Sequence, residues 1–317
     1  MKRSIFIKKI LSVSYRMALI FVSIAILWQN SSAAENRKAV IGADGWLIYT
    51  EKKDVGNLFD YKKSGTLDEI KLTIRGKRME RLSDWLAHKG VTFILTVAPN
   101  TPTIYPESVP RHIKVVGKVS RLDQMSRFLQ EKTHVNFLDL RPPLLEAKKE
   151  QVIYYKTDTH WNVVGAFVVY QELMHYMQKL RPFDANKLVP MELSDFNMEK
   201  KVFSGDLARM LGLQDTLKEE IPVIVPKTAY KAVRTWIEGE SSATENRTVC
   251  PGLKLLVFKD SYFNNVQPYI SEHFCQATYI LLLGVEKHFI EKYNPDIVIF
   301  ETAERYLSYL KNVPDMN

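Results

Sequence analysis

An acid and an imidazole stand two residues apart at Asp158 and His160, inside Lys156-Thr157-Asp158-Thr159-His160-Trp161-Asn162. Much later in the chain a hydroxyl follows an acid, at Lys259-Asp260-Ser261-Tyr262. A serine that attacks, an imidazole that takes its proton and a carboxylate that orients the imidazole are the parts acyl transfer requires. Ser261 is therefore the expected nucleophile, His160 the base and Asp158 the orienter. Backbone N–H groups of the turn after Ser261 are expected to face a developing oxyanion. Each signal has a plainer reading. His160 can be a helix-terminal residue bonded to backbone, and Ser261 or Asp260 can be a helix cap. Their weight comes from occurring together.

Other chemistries find less support. The remaining histidines (His88, His112, His134, His175, His273 and His288) have no partner at metal-ligand spacing, and there is no H-E-x-x-H and no closely spaced cysteine pair. No glycine-rich phosphate loop is present. Neither a metal nor a cofactor is expected. The net charge of +8 is spread along the chain, with part of it in Lys2, Arg3, Lys8, Lys9 and Arg16. That argues against a nucleic-acid partner and for a mixed, solvated surface.

The elements that must position these residues follow from hydrophobic period. With 317 residues, 46% of them hydrophobic and 25% charged, the chain has ordinary globular composition. Thr66 with Glu69 looks like a capping box, and Ile70, Ile74, Met79, Leu82 and Leu86 recur at near-helical spacing. Residues 91–97 are apolar and β-branched, as a strand buried on both faces would be. A helix over 119–132, a strand over 135–140 and a short helix opened by Pro142 and Pro143 repeat the unit. A long helix is expected over 164–180. The pattern weakens over about 190–250. There, 204–211 suggests a short helix, 221–226 an edge strand because of its two prolines, and 241–247 a loop. Strands are expected at 253–258, 277–283 and 296–300, with a helix over 285–293. Alternating helices and strands imply an α/β fold, a mostly parallel sheet with helices on both faces. In such sheets sites form beyond the carboxyl ends of the strands, where Ser261 falls.

Residues 1–16 are basic, Met17 to Trp28 is apolar, and Gln29 to Ala34 is polar and small. This is the order of an export signal, with cleavage expected after Ala34. An uncleaved membrane anchor fits the same residues. Either leaves the body, residues 35–317, outside the cytoplasm. Cys250 and Cys275 bracket the nucleophile strand. In an oxidising compartment they can pair; two buried thiols is the alternative.

Several stretches then carry a family resemblance. They are Gly45-Trp46-Leu47, Val97-Ala98-Pro99-Asn100 with Ile104-Tyr105-Pro106-Glu107, Asp158-Thr159-His160-Trp161, Ser204-Gly205-Asp206-Leu207, Asp260-Ser261-Tyr262, and Pro295-Asp296-Ile297-Val298 with Glu304-Arg305-Tyr306-Leu307. Together, over about residues 40–310, they resemble the alginate O-acetyltransferase family of the AlgJ/AlgX type, with its SGNH-hydrolase-like fold and permuted order of catalytic blocks. The resemblance implies Asp158, His160 and Ser261 as a triad. It implies an acetyl-serine intermediate, a secreted polysaccharide as acceptor and a membrane-bound O-acyltransferase as donor partner. The sequence ends at Asn317, so no C-terminal carbohydrate-binding module is expected. An acetylesterase with the same triad, or a non-catalytic polysaccharide-binding scaffold, are the competing readings. Asn100, Tyr262 and Arg305 are candidates to line the substrate cleft. Asn100 serves equally as a turn residue, Tyr262 as packing beside the nucleophile, and Arg305 as a structural ion-pair partner.

Overall fold

The apolar runs of strand length become the strands of one twisted sheet. In the computed structural model, which describes residues 39–50, 57–237 and 241–315, β1 (Ala39–Ile41) and β2 (Leu47–Tyr49) form a small antiparallel pair. Helices α1 (Asn57–Lys62) and α2 (Glu69–Ala87) lead into β3 (Thr92–Ala98). Then come α3 (Thr101–Ile104), α4 (Arg121–Lys132), β4 (Phe137–Asp139), α5 (Arg141–Ala147) and the long α6 (Val163–Leu180). After α6 the chain forms β5 (Phe196–Phe203), α7 (Asp206–Met210), β6 (Glu219–Pro226), β7 (Val233–Trp236) and β8 (Ser242–Glu245). It closes with β9 (Lys254–Lys259), α8 (Gln267–Ile270), β10 (Gln276–Leu281), α9 (Lys287–Tyr293) and β11 (Ile297–Ala303).

The main sheet runs β4-β3-β11-β9-β10-β8-β7. β4, β3, β11, β9 and β10 are parallel, while β8 and β7 add an antiparallel edge. Burial on both faces explains why the central strands are continuously apolar. Leu255 and Val257 of β9 face a core built on α6, and Leu256 and Phe258 face a core with α2 and α4. The same alternation sorts Ile94 from Phe93 and Leu95 in β3, and Ile299 from Val298 and Phe300 in β11. The adjacent strands β3, β9 and β11 end together, at Asn100, Ser261 and Glu304. This is where the parallel topology puts a site.

Differences from the sequence expectations have local causes. The cap of α2 is Asp68, whose carboxylate accepts the Lys71 amide at 2.9 Å, rather than a Thr66–Glu69 box. Residues 242–245, expected as loop, form β8. Its inward side chains are Ser242 and Thr244, buried but polar, so no apolar alternation advertised it. β6 is an edge strand as expected, but it pairs with β5 in a separate two-stranded sheet rather than at the margin of the main one. Pro222 and Pro226 are tolerated there because such a strand has one free edge. The leader expected over 1–34 lies outside the described residues. Among the described residues, no helix is long and apolar enough to cross a membrane. Cys250 and Cys275 are joined in a disulfide.

Candidate active site

The Ser261 turn is held by backbone register at the middle of the sheet. β9 pairs with β11 through Phe258 opposite Phe300, and Asp260 follows one residue past the strand end. Asp260 Oδ1 accepts the Tyr262 amide at 2.8 Å, capping the 3-10 turn Ser261–Asn265. Its Oδ2 accepts the Ala303 amide at 2.6 Å, and its own amide donates to Glu301 Oε2 at 3.0 Å. One carboxylate thus fixes the turn to the end of the neighbouring strand. The Tyr262 amide, being committed to Asp260, is not a free oxyanion donor. The Ser261 amide stands first in the 3-10 turn, where it has no partner within that turn.

The acid–base turn is held by side chains. A bridge between Tyr154 and Trp161 closes the loop that carries Asp158 and His160. Glu219 accepts the amides of Lys156 and Thr157 at 2.9 and 2.8 Å and the Thr157 hydroxyl at 2.6 Å. Asp206 accepts the Thr159 amide at 2.8 Å and the Thr159 hydroxyl at 2.7 Å, while its own amide donates to Asp158 Oδ2 at 2.8 Å. Gly205 lets this segment approach. A Cβ there would lie 2.4 Å from Asp158 Cβ and from the Thr157 carbonyl oxygen.

Reciprocal stitches join the two turns. The Tyr262 hydroxyl donates to the Thr159 carbonyl. The Trp161 indole donates to the Tyr262 carbonyl at 3.0 Å. The two rings meet edge to face at 4.9 Å, and the His160 ring lies 4.7 Å from Tyr262. The Arg305 guanidinium sits 5.1 Å over the Tyr262 ring and donates to its hydroxyl at 3.3 Å.

The outcome is a continuous chain. Ser261 Oγ lies 2.8 Å from His160 Nε2, and His160 Nδ1 lies 2.6 Å from Asp158 Oδ1. Ser261 and His160 are half-buried, so solvent reaches them, while Asp158 is buried. Burial pushes the Asp158 carboxyl up. The hydrogen bond and charge of His160, with the Asp206 and His160 amides, outweigh it and hold Asp158 below the usual carboxylate range. An ionised Asp158 favours the tautomer with its proton on Nδ1, which leaves Nε2 free to accept the serine proton. Burial keeps the Tyr262 phenol raised and protonated despite Arg305.

The three residues expected to line the cleft are in the interior instead. Asn100 and Tyr262 are 0% exposed and Arg305 is 4% exposed. Asn100 donates its amide to Glu304 at 2.9 Å and its side-chain nitrogen to Asp60 at 3.3 Å. Tyr262 backs the His160 ring, and Arg305 backs Tyr262. Among the described residues, a cleft of about 400 Å³ lies beside the acid–base turn, lined in part by Asp44, Lys156, Thr157, Asn162, Glu219 and Pro222. Ser261 and His160 do not line it.

Asp158, His160 and Asp206 place potential ligand atoms within 4.8 Å of one another. Each carboxylate oxygen there already faces an N–H or O–H donor. That donor set suits a hydrogen-bonded relay better than a cation. Sequence reasoning missed Asp206 and Glu219 as site residues. Asp206 stood inside the Ser204–Leu207 motif, but nothing local to Glu219 marks it.

Residues 39–244 match the family model described as SGNH hydrolase-like domain, acetyltransferase AlgX. The matched stretch contains Asp158, His160 and Asp206 and stops before Ser261. The chain is 28% identical over 185 residues to the probable alginate O-acetylase AlgJ of Pseudomonas syringae pv. tomato, which is 58% of this chain and 44% of that protein. The corresponding Pseudomonas aeruginosa protein is 29% identical over 185 residues, 58% of this chain and 43% of its own length. The match thus spans less than half the length of these relatives. In three dimensions the chain resembles Bacillus cereus PatB1, with TM-score 0.63 at 18% identity over 87% of this chain and 97% of that one. It also resembles the O-acetyltransferase domain of Pseudomonas putida AlgJ, with TM-score 0.51 at 17% identity over 85% and 92%. The family match covers more than half of the chain, and the chain belongs to the SGNH hydrolase-like acetyltransferase family of the AlgX type.

Proposed function

We propose that this protein is an O-acetyltransferase that moves acetyl groups onto hydroxyls of a secreted, alginate-like polysaccharide. Ser261 is the nucleophile, His160 the base and Asp158 its orienter. The observation that carries this reading is the unbroken hydrogen-bond chain from Ser261 Oγ through His160 to Asp158, between segments far apart in sequence. Ser261 Oγ attacks the carbonyl carbon of an acetyl ester as His160 Nε2 takes its proton. The oxyanion is held by the Ser261 amide. The intermediate collapses, the leaving oxygen receives the proton from His160, and acetyl-Ser261 remains. A sugar hydroxyl then attacks as His160 takes its proton, and that proton returns to Ser261 Oγ as the acetylated sugar leaves. Losing one oxyanion donor at such a site lowers the rate on the order of 10²–10³-fold.

The rest of the system follows from the same reading. Residues 1–34 are an export signal or an anchor in the inner membrane, and 35–317 form the acetyltransferase domain in the periplasm. The Cys250–Cys275 disulfide supports an oxidising compartment. A membrane-bound O-acyltransferase supplies the acetyl group. The test is turnover of an artificial acetyl ester with and without oligosaccharide acceptors, with the products weighed. Acetylated sugar, lost in Ser261→Ala and His160→Ala while thermal stability holds, supports transfer. Release of acetate alone gives the esterase. Neither turnover nor an acyl adduct leaves a polysaccharide-binding scaffold.

A further inference from the structure

We infer that Asp206 is a positioning residue for the base: through the Thr159 hydroxyl it sets which face of that hydroxyl meets the His160 ring. The inference rests on His160 acting as proposed above. Thr159 Oγ1 sits between two groups. It is 2.7 Å from Asp206 Oδ2 and 3.2 Å from His160 Nδ1. A hydroxyl has one proton to give and lone pairs to spare. An ionised carboxylate can only accept, so the proton points to Asp206 and a lone pair faces Nδ1. There it supplements Asp158 Oδ1 in receiving the Nδ1 proton. The proton stays on Nδ1, and Nε2 stays open toward Ser261.

The rest of Asp206 is arranged so that this orientation is fixed. Its Oδ1 accepts the Thr159 amide and its own amide holds Asp158 Oδ2. Residues 158, 159 and 206 therefore form a closed ring around the imidazole's far nitrogen. The ionisable groups facing Asp206 include Asp158, His160 and Tyr262. Burial, then the Asp158 charge, raises the Asp206 carboxyl above its ordinary value, while Thr159 and His160 oppose the shift. Nothing in the proposed acyl-transfer steps uses Asp206, and its carboxylate touches no reacting atom.

Asp206→Asn separates orientation from packing. The side chain keeps its size, and its amide oxygen can still accept the Thr159 amide. That leaves the NH₂ group facing Thr159 Oγ1. The hydroxyl must then accept from it, and its proton swings toward Nδ1. Removing a charge-assisted hydrogen bond of this kind predicts a fall in kcat of at least tenfold with KM within about twofold. ¹⁵N shifts of the His160 ring should show a rise in the tautomer protonated on Nε2.

The deciding experiment is a double-mutant cycle on ester turnover. In a Thr159→Val background, which has no hydroxyl to misdirect, Asp206→Asn should change kcat less than about threefold. In Thr159→Ser, which keeps the hydroxyl, the full loss should return. Equal losses in all three backgrounds, or an unchanged ring tautomer, overturn the inference. If Asp206→Asn fails to fold, single substitutions decide: Thr159→Ser must keep wild-type turnover and tautomer, and Thr159→Val must lower kcat. No turnover by the wild-type protein instead sinks the proposed function and leaves Asp206 as a clamp on the turn.

Discussion

The two turns that meet at Ser261 and His160 are built on different principles. The Ser261 turn is an extension of the sheet: Asp260 is placed by the pairing of β9 with β11 and fixed by backbone amides on either side. The acid–base turn has no strand beneath it. It is held by two carboxylates, Asp206 and Glu219, from the irregular region between α6 and β7. Damage to the first should therefore appear as lost stability. Damage to the second should appear as lost activity in a protein that still folds.

Gly205→Ala should give the largest divergence. The added Cβ would lie within 2.4 Å of Asp158 Cβ, so the acid must move. We expect kcat to fall about 100-fold, since a displacement of about 1 Å near reacting groups has that effect. The stability loss should stay near 1–3 kcal/mol. The matching change on the other side is Asp260→Ala, which strands the buried amides of Tyr262 and Ala303. It should destabilise by about 2–4 kcal/mol, read by denaturant unfolding. If Gly205→Ala unfolds the protein while Asp260→Ala leaves it stable, the contrast between the two turns fails.

The disulfide belongs to the sheet side and should behave accordingly. It closes a 25-residue separation ahead of β10. Replacing both cysteines by serine should lower stability by about 3 kcal/mol and leave kcat within about twofold.

A third region sharpens the comparison through pH. Burial pushes His273 down to about 4, and Tyr170, whose hydroxyl oxygen receives the Met191 amide, meets His273 Nε2 at 2.6 Å. Unfolded, this imidazole takes a proton near 6.5, whereas folded it resists until about 4. The unfolded state then holds more protons between these values, so stability falls as pH drops through that window, by about 3 kcal/mol in total. His273→Gln should flatten the slope without changing activity at neutral pH. The smallest effect is expected for Tyr262→Phe. Losing the bond to the Thr159 carbonyl should lower stability by about 1 kcal/mol and kcat several-fold.

The same contrast explains what the sequence disclosed. β3, β9 and β11 were legible because burial on both faces makes each continuously apolar, and Ser261 was legible because it follows such a strand. That topology places Ser261 at a strand end, but not Asp158 and His160, whose turn is held by Asp206 and Glu219. β7 and β8 were hidden because exposed Val233 and Trp236 and buried Ser242 and Thr244 carry no apolar alternation. Asp206 and Glu219 act on backbone amides of a distant turn, and such long-range pairings leave no local pattern. Asn100, Tyr262 and Arg305 sat in the right motifs, but their burial depends on tertiary packing. Tyr262 backs the His160 ring and Arg305 backs Tyr262, while Asn100 ties the end of β3 to Glu304 and Asp60.

On the proposed function, the two turns together make Ser261 nucleophilic. The most direct measurement is peptide mapping by mass spectrometry after brief exposure to an activated acetyl ester. One acetyl group is expected on Ser261, formed rapidly in the wild-type protein and suppressed in folded His160→Ala. Acetyl label on other residues only, or equal labelling of Ser261 without His160, would contradict it.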